Sequence, residues 1–203
     1  MRYYEIEQGT PDWFALRTGK LTGSMFGRLV KSSWLELVDQ IVAEQLTGMN
    51  EYNSVFENDD IIRGRELEPI AIEQYTSITG IEIDKCGFIQ SEKYPIFGCS
   101  PDGITKVGNG IIEVKSPRAK IHIKNIRQGK IPSDHIGQIM SYFIVDPAIQ
   151  FVDFVSFCPD LEAKPIWIKR IERIEAEEMI AEYEIALDKF VKAVDKLKND
   201  LTF

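Results

Sequence analysis

Residues 100–117 read SPDGITKVGNGIIEVKSP, which combines a predicted turn with a predicted strand. Residues 100–103 predict a turn, because proline presets φ and glycine permits a left-handed conformation. Residues 110–116 are rich in β-branched side chains and follow a Gly-Asn-Gly sequence, which predicts a strand. Asp102 therefore stands in a turn beside a predicted strand.

The predicted strand carries charge on one face. Its period of two points Glu113 and Lys115 to one side, and Ile112 and Val114 to the other. A turn residue and a solvent-facing charged pair would explain these residues taken singly. Their combination indicates that Asp102 and a second carboxylate lie together with an amine.

Two neighbouring carboxylates repel each other unless a cation lies between them. Oxygen ligands suit Mg²⁺, which binds through one or two carboxylates and keeps several waters. Such an ion polarises a phosphoryl oxygen and lowers the pKa of a bound water, and Lys115 would orient or help to deprotonate that water. Because the chain has no glycine-rich phosphate loop, the pattern favours phosphodiester hydrolysis over nucleotide binding.

The segments around this stretch predict an α/β fold with a mixed central sheet flanked by helices. Helices are predicted near Asp12 and Trp13, after a cap at Thr22 or Ser24, and over residues 34–46, 66–79 (with Pro69 in or near the first turn), 134–145 (capped by Asp134) and 174–199. Strands are predicted over residues 81–90, 96–104 and 110–116, as one antiparallel run, and over 151–157 and 165–171. Residues 51–60 predict a loop.

Glu68 is a candidate third acid. On its predicted helix it shares a face with Ala71, Ile72, Tyr75 and Thr79, at the end of an apolar stripe where a carboxylate needs a partner. A metal ion is one partner; an acid that complements the helix dipole is the alternative.

Gln138 and Tyr142 are four residues apart on another predicted helix. Such a pair can hold a phosphate or an attacking water, and a polar surface pair is the alternative interpretation.

The bulk composition is that of an ordinary globular protein. With 203 residues, 44% hydrophobic and 28% charged, we expect one domain over residues 1–203. Since neither a membrane-spanning run nor a secretory leader is recognisable, we expect a cytoplasmic protein. The three widely spaced cysteines predict reduced, structural thiols.

The net charge of −8 argues against nucleic-acid binding, but the charge is unevenly distributed. Residues 115–130 contain six Lys and Arg and no Asp or Glu, and residues 17–31 contain four Lys and Arg and no acid. Solvated faces are the alternative interpretation of such runs. Because both runs flank the predicted site, they favour a polyanionic substrate.

Five pieces of sequence also occur together in a characteristic order. They are QGTPDW with LRTG and TGS (residues 8–24), GRELEP (64–69), SPDG (100–103), EVK (113–115), and Gln138 with Tyr142. In these the chain resembles the phage-type alkaline exonucleases, the lambda exonuclease and YqaJ viral recombinase group of the PD-(D/E)xK nuclease superfamily. The resemblance covers about residues 8–142.

The resemblance implies a restriction-endonuclease-like fold and an activity. The activity is Mg²⁺-dependent digestion of one strand of duplex DNA from its 5′-phosphorylated end, with Mn²⁺ as a substitute ion, leaving 3′ tails for recombination. A homotrimeric ring and a single-strand annealing protein as partner, in a bacterial host cell, are also implied.

It implies roles for particular residues as well. Asp102, Glu113 and the main-chain carbonyl of Val114 would bind the metal, with Glu68 supporting a second ion. Lys115 and Gln138 would position the nucleophile. The remaining substrate-binding residues are Tyr142 and a pocket for the terminal 5′-phosphate formed by Arg17, Ser24 and Ser100.

Two other functions remain open. The same catalytic core serves endonucleases, either restriction-like or structure-specific. In a different class of function, the chain binds DNA ends without catalysis and its acids are structural.

Overall fold

The computed structural model describes residues 1–50 and 58–202. Its helices are α1 Pro11–Arg17, α2 Gly23–Phe26, α3 Trp34–Thr47, α4 Asp59–Thr79, α5 Ala119–Gln128, α6 Ser133–Val145 and α7 Arg173–Leu201, with a 3₁₀ turn at Gly27–Val30. Its strands are β1 Arg2–Tyr4, β2 Leu21–Thr22, β3 Ile83–Asp84, β4 Phe88–Gln90, β5 Phe97–Cys99, β6 Gly103–Thr105, β7 Gly110–Lys115, β8 Phe151–Phe157 and β9 Ile166–Glu172.

The strands form two sheets. The first has the order β1-β4-β5-β2, with β2 parallel to β5 and the other pairs antiparallel. The second has the order β3-β6-β7-β8-β9, in which only the β7–β8 pair is parallel. The predicted mixed sheet flanked by helices is therefore confirmed.

Strand β7 lies at the centre of the second sheet, and its two faces differ. Ile112 and Val114 pack with Ala71 and Tyr75 of α4. On the other face Glu113 contacts α6 through a hydrogen bond from Tyr142. The predicted alternation along this strand is confirmed, and it turns Glu113 away from α4.

Helix α6 passes very close to the turn that follows α2, because both contribute glycine. A Cβ atom added at Gly137 would lie 2.3 Å from the Cα of Gly27. Real Cβ atoms do not approach another backbone so closely, so this crossing requires glycine. It brings α6, which carries Gln138, against α2, which carries Ser24.

The prediction of one antiparallel run over residues 81–116 is wrong. Residues 81–90 contain two short strands in different sheets, and so do residues 96–104. The chain changes sheet at the turn over residues 100–102, and β7 follows in the second sheet. The turn itself was predicted, but a turn does not show which sheet the next strand joins.

Two helix starts also differ from their predictions. Helix α4 begins at Asp59 rather than near residue 66, with the Asn58 side chain accepting a hydrogen bond from the Ile61 N–H, and Pro69 lies inside the helix. Helix α6 begins at Ser133, so Asp134 lies in the first turn instead of capping it. Of the loop predicted over residues 51–60, residues 51–57 lie outside the described part of the chain.

Helix α5 was not predicted. The residues that it buries are the polar His122 and Asn125, while Ile121 and Ile123 are exposed. Burial on this helix therefore does not follow the apolar pattern from which a sequence prediction is made.

The three cysteines are free and buried, as expected for structural thiols. In the described ranges, no helix combines the length and the apolar character that crossing a membrane requires.

Candidate active site

Asp102 and β7 are joined directly. The Asp102 side chain follows the turn at Ser100–Pro101, and its Oδ2 accepts a 2.6 Å hydrogen bond from the Val114 N–H. This bond fixes the carboxylate beside the strand that carries Glu113 and Lys115. The predicted juxtaposition of the two carboxylates and the amine is therefore present.

The Glu113 carboxylate is buried, with 1% of its side chain exposed. Its Oε2 accepts a hydrogen bond from the Tyr142 hydroxyl. Its Oε1 lies 2.5 Å from Lys115 Nζ but forms no hydrogen bond of normal geometry. A buried oxygen without a well-directed donor is able to accept a cation.

The charges of these groups are strongly coupled. Burial and the neighbouring charge of Glu113 raise the pKa of Asp102 well above its ordinary value. For Lys115, burial lowers the pKa, but the charges of Glu113 and Asp102 outweigh burial and raise it. The site thus holds two carboxylates that repel each other and one ammonium group.

Glu68 lies on α4, on the other side of the sheet from α6. Burial and the charge of Glu113 raise the pKa of Glu68, so its electrostatic interaction with the site is appreciable. Within residues 1–50 and 58–202, however, no three His, Cys, Asp or Glu side chains are grouped closely enough to hold a metal ion. The support by Glu68 of a second ion stays a prediction.

The residues at the end of β7 fit a small divalent cation. The donors are two carboxylates, one with a buried oxygen that accepts no hydrogen bond, and carboxylate oxygen is a preferred ligand of Mg²⁺. The Val114 carbonyl, between Glu113 and Lys115 in sequence, is the third ligand that the resemblance implies. Asp102, Glu113 and Val114 would hold such an ion.

Gln138 and Tyr142 form the predicted pair on α6. Gln138 Nε2 donates a 3.1 Å hydrogen bond to the Tyr142 hydroxyl. Tyr142 is fully buried, and burial and the charge of Glu113 raise its pKa. The tyrosine therefore lies between Gln138 and Glu113, where it orients the carboxylate.

A second polar cluster lies beside the turn at Ser100. Arg17 Nη1 donates a 3.2 Å hydrogen bond to Ser100 Oγ, and its guanidinium carbon lies 3.8 Å from the centre of the Trp13 ring. Trp13 Nε1 also lies 3.0 Å from Ser100 Oγ. The indole holds both the guanidinium and the hydroxyl in position.

The Arg17 charge is costly in this position. Burial lowers its pKa from 12.5 to about 10, and no carboxylate of residues 1–50 and 58–202 is among the groups that act on it. A bound anion would relieve that cost.

Ser24 lies at the same edge of the first sheet. The parallel register pairs Leu21 with Phe97 and Thr22 with Gly98, so the positions that follow, Ser24 and Ser100, lie at the same end of the paired strands. Ser24 is exposed, with its Oγ 3.3 Å from the Thr22 hydroxyl. The structure thus brings Arg17 and Ser100 into contact and puts Ser24 near their end of the sheet.

The sequence did not identify two residues of this region as site residues. Trp13 stands four residues before Arg17 on a helix, and this spacing could have indicated their contact. Glu44 is 2% exposed, and its Oε2 accepts a 2.8 Å hydrogen bond from the Gly19 N–H, in the turn that follows Arg17. Its partner is distant in sequence, so no local signal indicated it.

Known proteins are similar to this chain in sequence and in fold. The profile of the YqaJ-like viral recombinase domain matches residues 12–147. An alkaline exonuclease (LHK-Exo) from Laribacter hongkongensis is 31% identical, with a TM-score of 0.85 over 95% of this chain and 96% of that one. The structure of LHK-Exo in complex with dAMP matches equally well. No match was found among curated proteins.

A more distant likeness concerns the fold alone. A phage-related exonuclease from Haemophilus somnus 129PT is 16% identical, with a TM-score of 0.65 over 90% of this chain and 96% of that one. These likenesses confirm the predicted PD-(D/E)xK fold and the resemblance to the phage-type alkaline exonucleases. The chain belongs to the family of YqaJ-like viral recombinase domains.

Proposed function

We propose that this chain is a Mg²⁺-dependent exonuclease that digests one strand of duplex DNA in the 5′-to-3′ direction. It would begin at a 5′-phosphorylated end and leave 3′ single-stranded tails for phage-type homologous recombination. The family of the chain and its 31% identity to an alkaline exonuclease support the nuclease activity.

The main support for the proposal is that one turn, over residues 100–102, contributes a residue both to the Arg17 cluster and to the carboxylate site on β7. Ser100 contacts Arg17, and Asp102, two residues later, contacts β7. Two residues span at most about 7 Å of chain, so both clusters lie within reach of neighbouring phosphates of one strand. A terminal phosphate bound at Arg17 would bring the first phosphodiester to Asp102 and Glu113.

The Arg17 cluster suits a terminal phosphate. A phosphate monoester carries more negative charge than an internal phosphodiester, and a guanidinium can donate two hydrogen bonds to it. The half-buried charge of Arg17 has no carboxylate partner in the described part of the chain, and a terminal phosphate would supply the missing anion. This difference in charge would favour the binding of DNA ends at Arg17 over the binding of internal positions of a strand.

The remaining residues would prepare the hydrolysis. A divalent ion bound by Asp102 and Glu113 would supply Lewis-acid stabilisation of the charge on the phosphoryl group. Lys115 adds a positive charge beside the same phosphate and can orient the attacking water. Gln138, through Tyr142, holds the Glu113 carboxylate in place.

The experiment is a time course on linear duplex labelled at either the 5′ or the 3′ end, with covalently closed circular duplex in parallel. We expect early release of the 5′ label as a mononucleotide, late release of the 3′ label, and intact circles. Asp102→Ala and Lys115→Ala should each abolish digestion while end binding persists. Cleavage of the circles as fast as linear duplex would indicate an endonuclease, and unchanged digestion by both variants would remove the mechanism.

We also propose a homotrimeric ring, a single-strand annealing protein as partner and action in the cytoplasm of a bacterial host. An acidic exterior with basic residues near the site is compatible with a ring around DNA. Sedimentation equilibrium tests the first proposal, since a monomeric mass at working concentration would exclude the trimer.

A further inference from the structure

A cavity of about 650 Å³ lies between α5 and the start of α6, and Lys115 lines one side of it. This volume is in the usual range for ligand sites, about 300 to 1,000 Å³. The ammonium group of Lys115 lies 2.5 Å from Glu113, so the cavity adjoins the carboxylate pair.

The lining combines positive charge with apolar surface. Lys124 and Lys130 add two cations to Lys115, while Ile121 and Ile131 supply aliphatic surface. Ile121 is 44% exposed, although an isoleucine gains free energy when it is covered. Cations next to aliphatic side chains suit a nucleotide, whose phosphate is charged and whose base and sugar have apolar faces.

One acid also lines the cavity but is strongly exposed. Asp134 has 85% of its side chain accessible, and its Oδ1 lies 4.0 Å from Lys31 Nζ. Its charge is therefore screened by solvent and partly offset by a lysine. The balance of charge around the cavity stays positive.

Consecutive contacts link the Arg17 cluster, the two carboxylates and the cavity. Arg17 contacts Ser100, the turn leads to Asp102, and Asp102 contacts Val114. Lys115, next in sequence, borders the cavity. A strand that begins at Arg17 and passes the carboxylates would therefore have the cavity beside Lys115 within reach of its next nucleotide.

We infer that this cavity binds the nucleotide immediately 3′ of the scissile phosphate, on the strand that is digested. The inference rests on the proposed function, which sets the 5′ end at Arg17. Ile121 packs against the base and sugar, and Lys124 and Lys130 bind the next phosphate. A lysine bound to phosphate and an isoleucine packed on the face of a base carry no sequence preference, so the site accepts any base, as digestion along a whole strand requires.

The test compares two linear duplexes with 5′-phosphorylated ends. One is unmodified; in the other, the phosphodiester between the second and third nucleotides is an uncharged methylphosphonate. The rate of first-nucleotide release is measured in single turnover with Mg²⁺, and affinity by fluorescence anisotropy in EDTA. For the wild type we expect the methylphosphonate to slow release and weaken binding by about fivefold to tenfold, because one Lys–phosphate interaction is lost.

The variant Lys124→Ala/Lys130→Ala should show the same loss on unmodified duplex and no further loss on the methylphosphonate duplex. The variant Lys192→Ala, which removes an exposed lysine of α7, is the matched control and should keep the full wild-type sensitivity. Because each protein is compared on two substrates, partial unfolding of a variant cannot imitate this result.

The outcomes separate the two ideas. A wild type that digests unmodified duplex but ignores the methylphosphonate overturns the assignment of the cavity, and so does a double variant with wild-type sensitivity. A wild type that does not digest unmodified duplex overturns the proposed function. The anisotropy in EDTA then still decides whether the cavity binds the strand.

Discussion

The hydroxyl of Tyr142 donates a hydrogen bond to Oε2 of the buried Glu113 and so joins α6 to the central strand β7. The bond leaves the other carboxylate oxygen for Lys115 or for a cation. The tyrosine is itself oriented by Gln138. Helix α6 therefore determines the direction in which the other carboxylate oxygen of Glu113 points.

Tyr142→Phe should weaken both folding and digestion. It leaves a buried carboxylate oxygen without a donor, which costs about 1–3 kcal/mol in the free energy of unfolding. The matched control is Tyr75→Phe, since the Tyr75 hydroxyl donates a 2.6 Å hydrogen bond to the buried Asp153 away from the site. Urea unfolding should show a loss for both variants, whereas only Tyr142→Phe should lower the single-turnover rate per folded molecule. Equal rates for the two variants would contradict the orienting role.

Arg17→Met should remove the preference for phosphorylated ends. We expect the wild type to digest 5′-phosphorylated duplex at least about tenfold faster than 5′-hydroxyl duplex, a difference of about 1.4 kcal/mol. The variant should act equally on both, because the guanidinium that recognises the phosphate is gone. For Arg17→Lys, the ratio of the two digestion rates should lie between those of the wild type and Arg17→Met. Lysine keeps the positive charge but lacks the planar guanidinium and its stacking on Trp13. A variant that keeps the wild-type ratio would exclude the Arg17 pocket.

The same variant makes a prediction about stability. Because the half-buried charge of Arg17 has no carboxylate partner among the described residues, Arg17→Met should unfold at a higher temperature than the wild type in phosphate-free buffer. Inorganic phosphate should raise the melting temperature of the wild type and not that of the variant. A phosphate effect of the same size on both proteins would mean that phosphate binds elsewhere.

Glu44 fixes the turn that follows Arg17, and Glu44→Gln should loosen it. The carboxylate accepts hydrogen bonds from the Gly19 N–H at 2.8 Å and from Gln40 Nε2 at 3.0 Å. Replacing the carboxylate with an amide turns one of the two acceptor oxygens into a donor NH₂ group. At a buried site this lowers the free energy of unfolding by about 1–3 kcal/mol. We expect lower stability to urea and a smaller preference for phosphorylated ends. Asp39→Asn, an exposed change on the same helix, is the control and should alter neither.

The sequence predicted those parts of the site that depend on local pattern. Glu113 and Lys115 share a face because a strand alternates, and Gln138 and Tyr142 meet because a helix brings residues i and i+4 together. Residue identity and spacing determine such contacts. These contacts can be predicted without knowledge of the tertiary structure.

Features that depend on tertiary packing were not predicted. Helix α5 buries His122, whose ring nitrogens contact Ser156 and the Lys164 carbonyl, so polar contacts with distant residues decide which face of this helix is buried. Glu44 reaches Gly19 across 25 residues. In these two cases a buried polar residue, or a partner distant in sequence, determines the structure. The early start of α4 has a different cause, because its cap at Asn58 is a local contact with the Ile61 N–H and lies in a segment whose polar composition predicts a loop.

Asp102→Asn should stabilise the metal-free chain and abolish digestion. In the folded chain, burial and the charge of Glu113 raise the pKa of Asp102. A carboxyl group whose pKa is higher in the folded state contributes stability at low pH, and that contribution is lost as the pH rises through the raised pKa. In EDTA, the wild type should therefore lose stability over that pH range, and Asp102→Asn should lose less. Asparagine can still accept the hydrogen bond from the Val114 N–H, so the turn should be preserved.

A divalent ion should reverse the order of stability. Mg²⁺ or Mn²⁺ would offset the repulsion between Asp102 and Glu113, so each should raise the melting temperature of the wild type and leave Asp102→Asn almost unchanged. Ca²⁺, which accepts oxygen ligands but prefers longer bonds and more of them, should stabilise the wild type without supporting digestion. Because Asp102 would itself be a ligand of the ion, none of these ions should restore digestion to Asp102→Asn. If Mg²⁺ stabilised both proteins equally, or if digestion continued in excess EDTA, the ion would not bind at Asp102. Some other positive charge would then have to offset the repulsion between the two carboxylates.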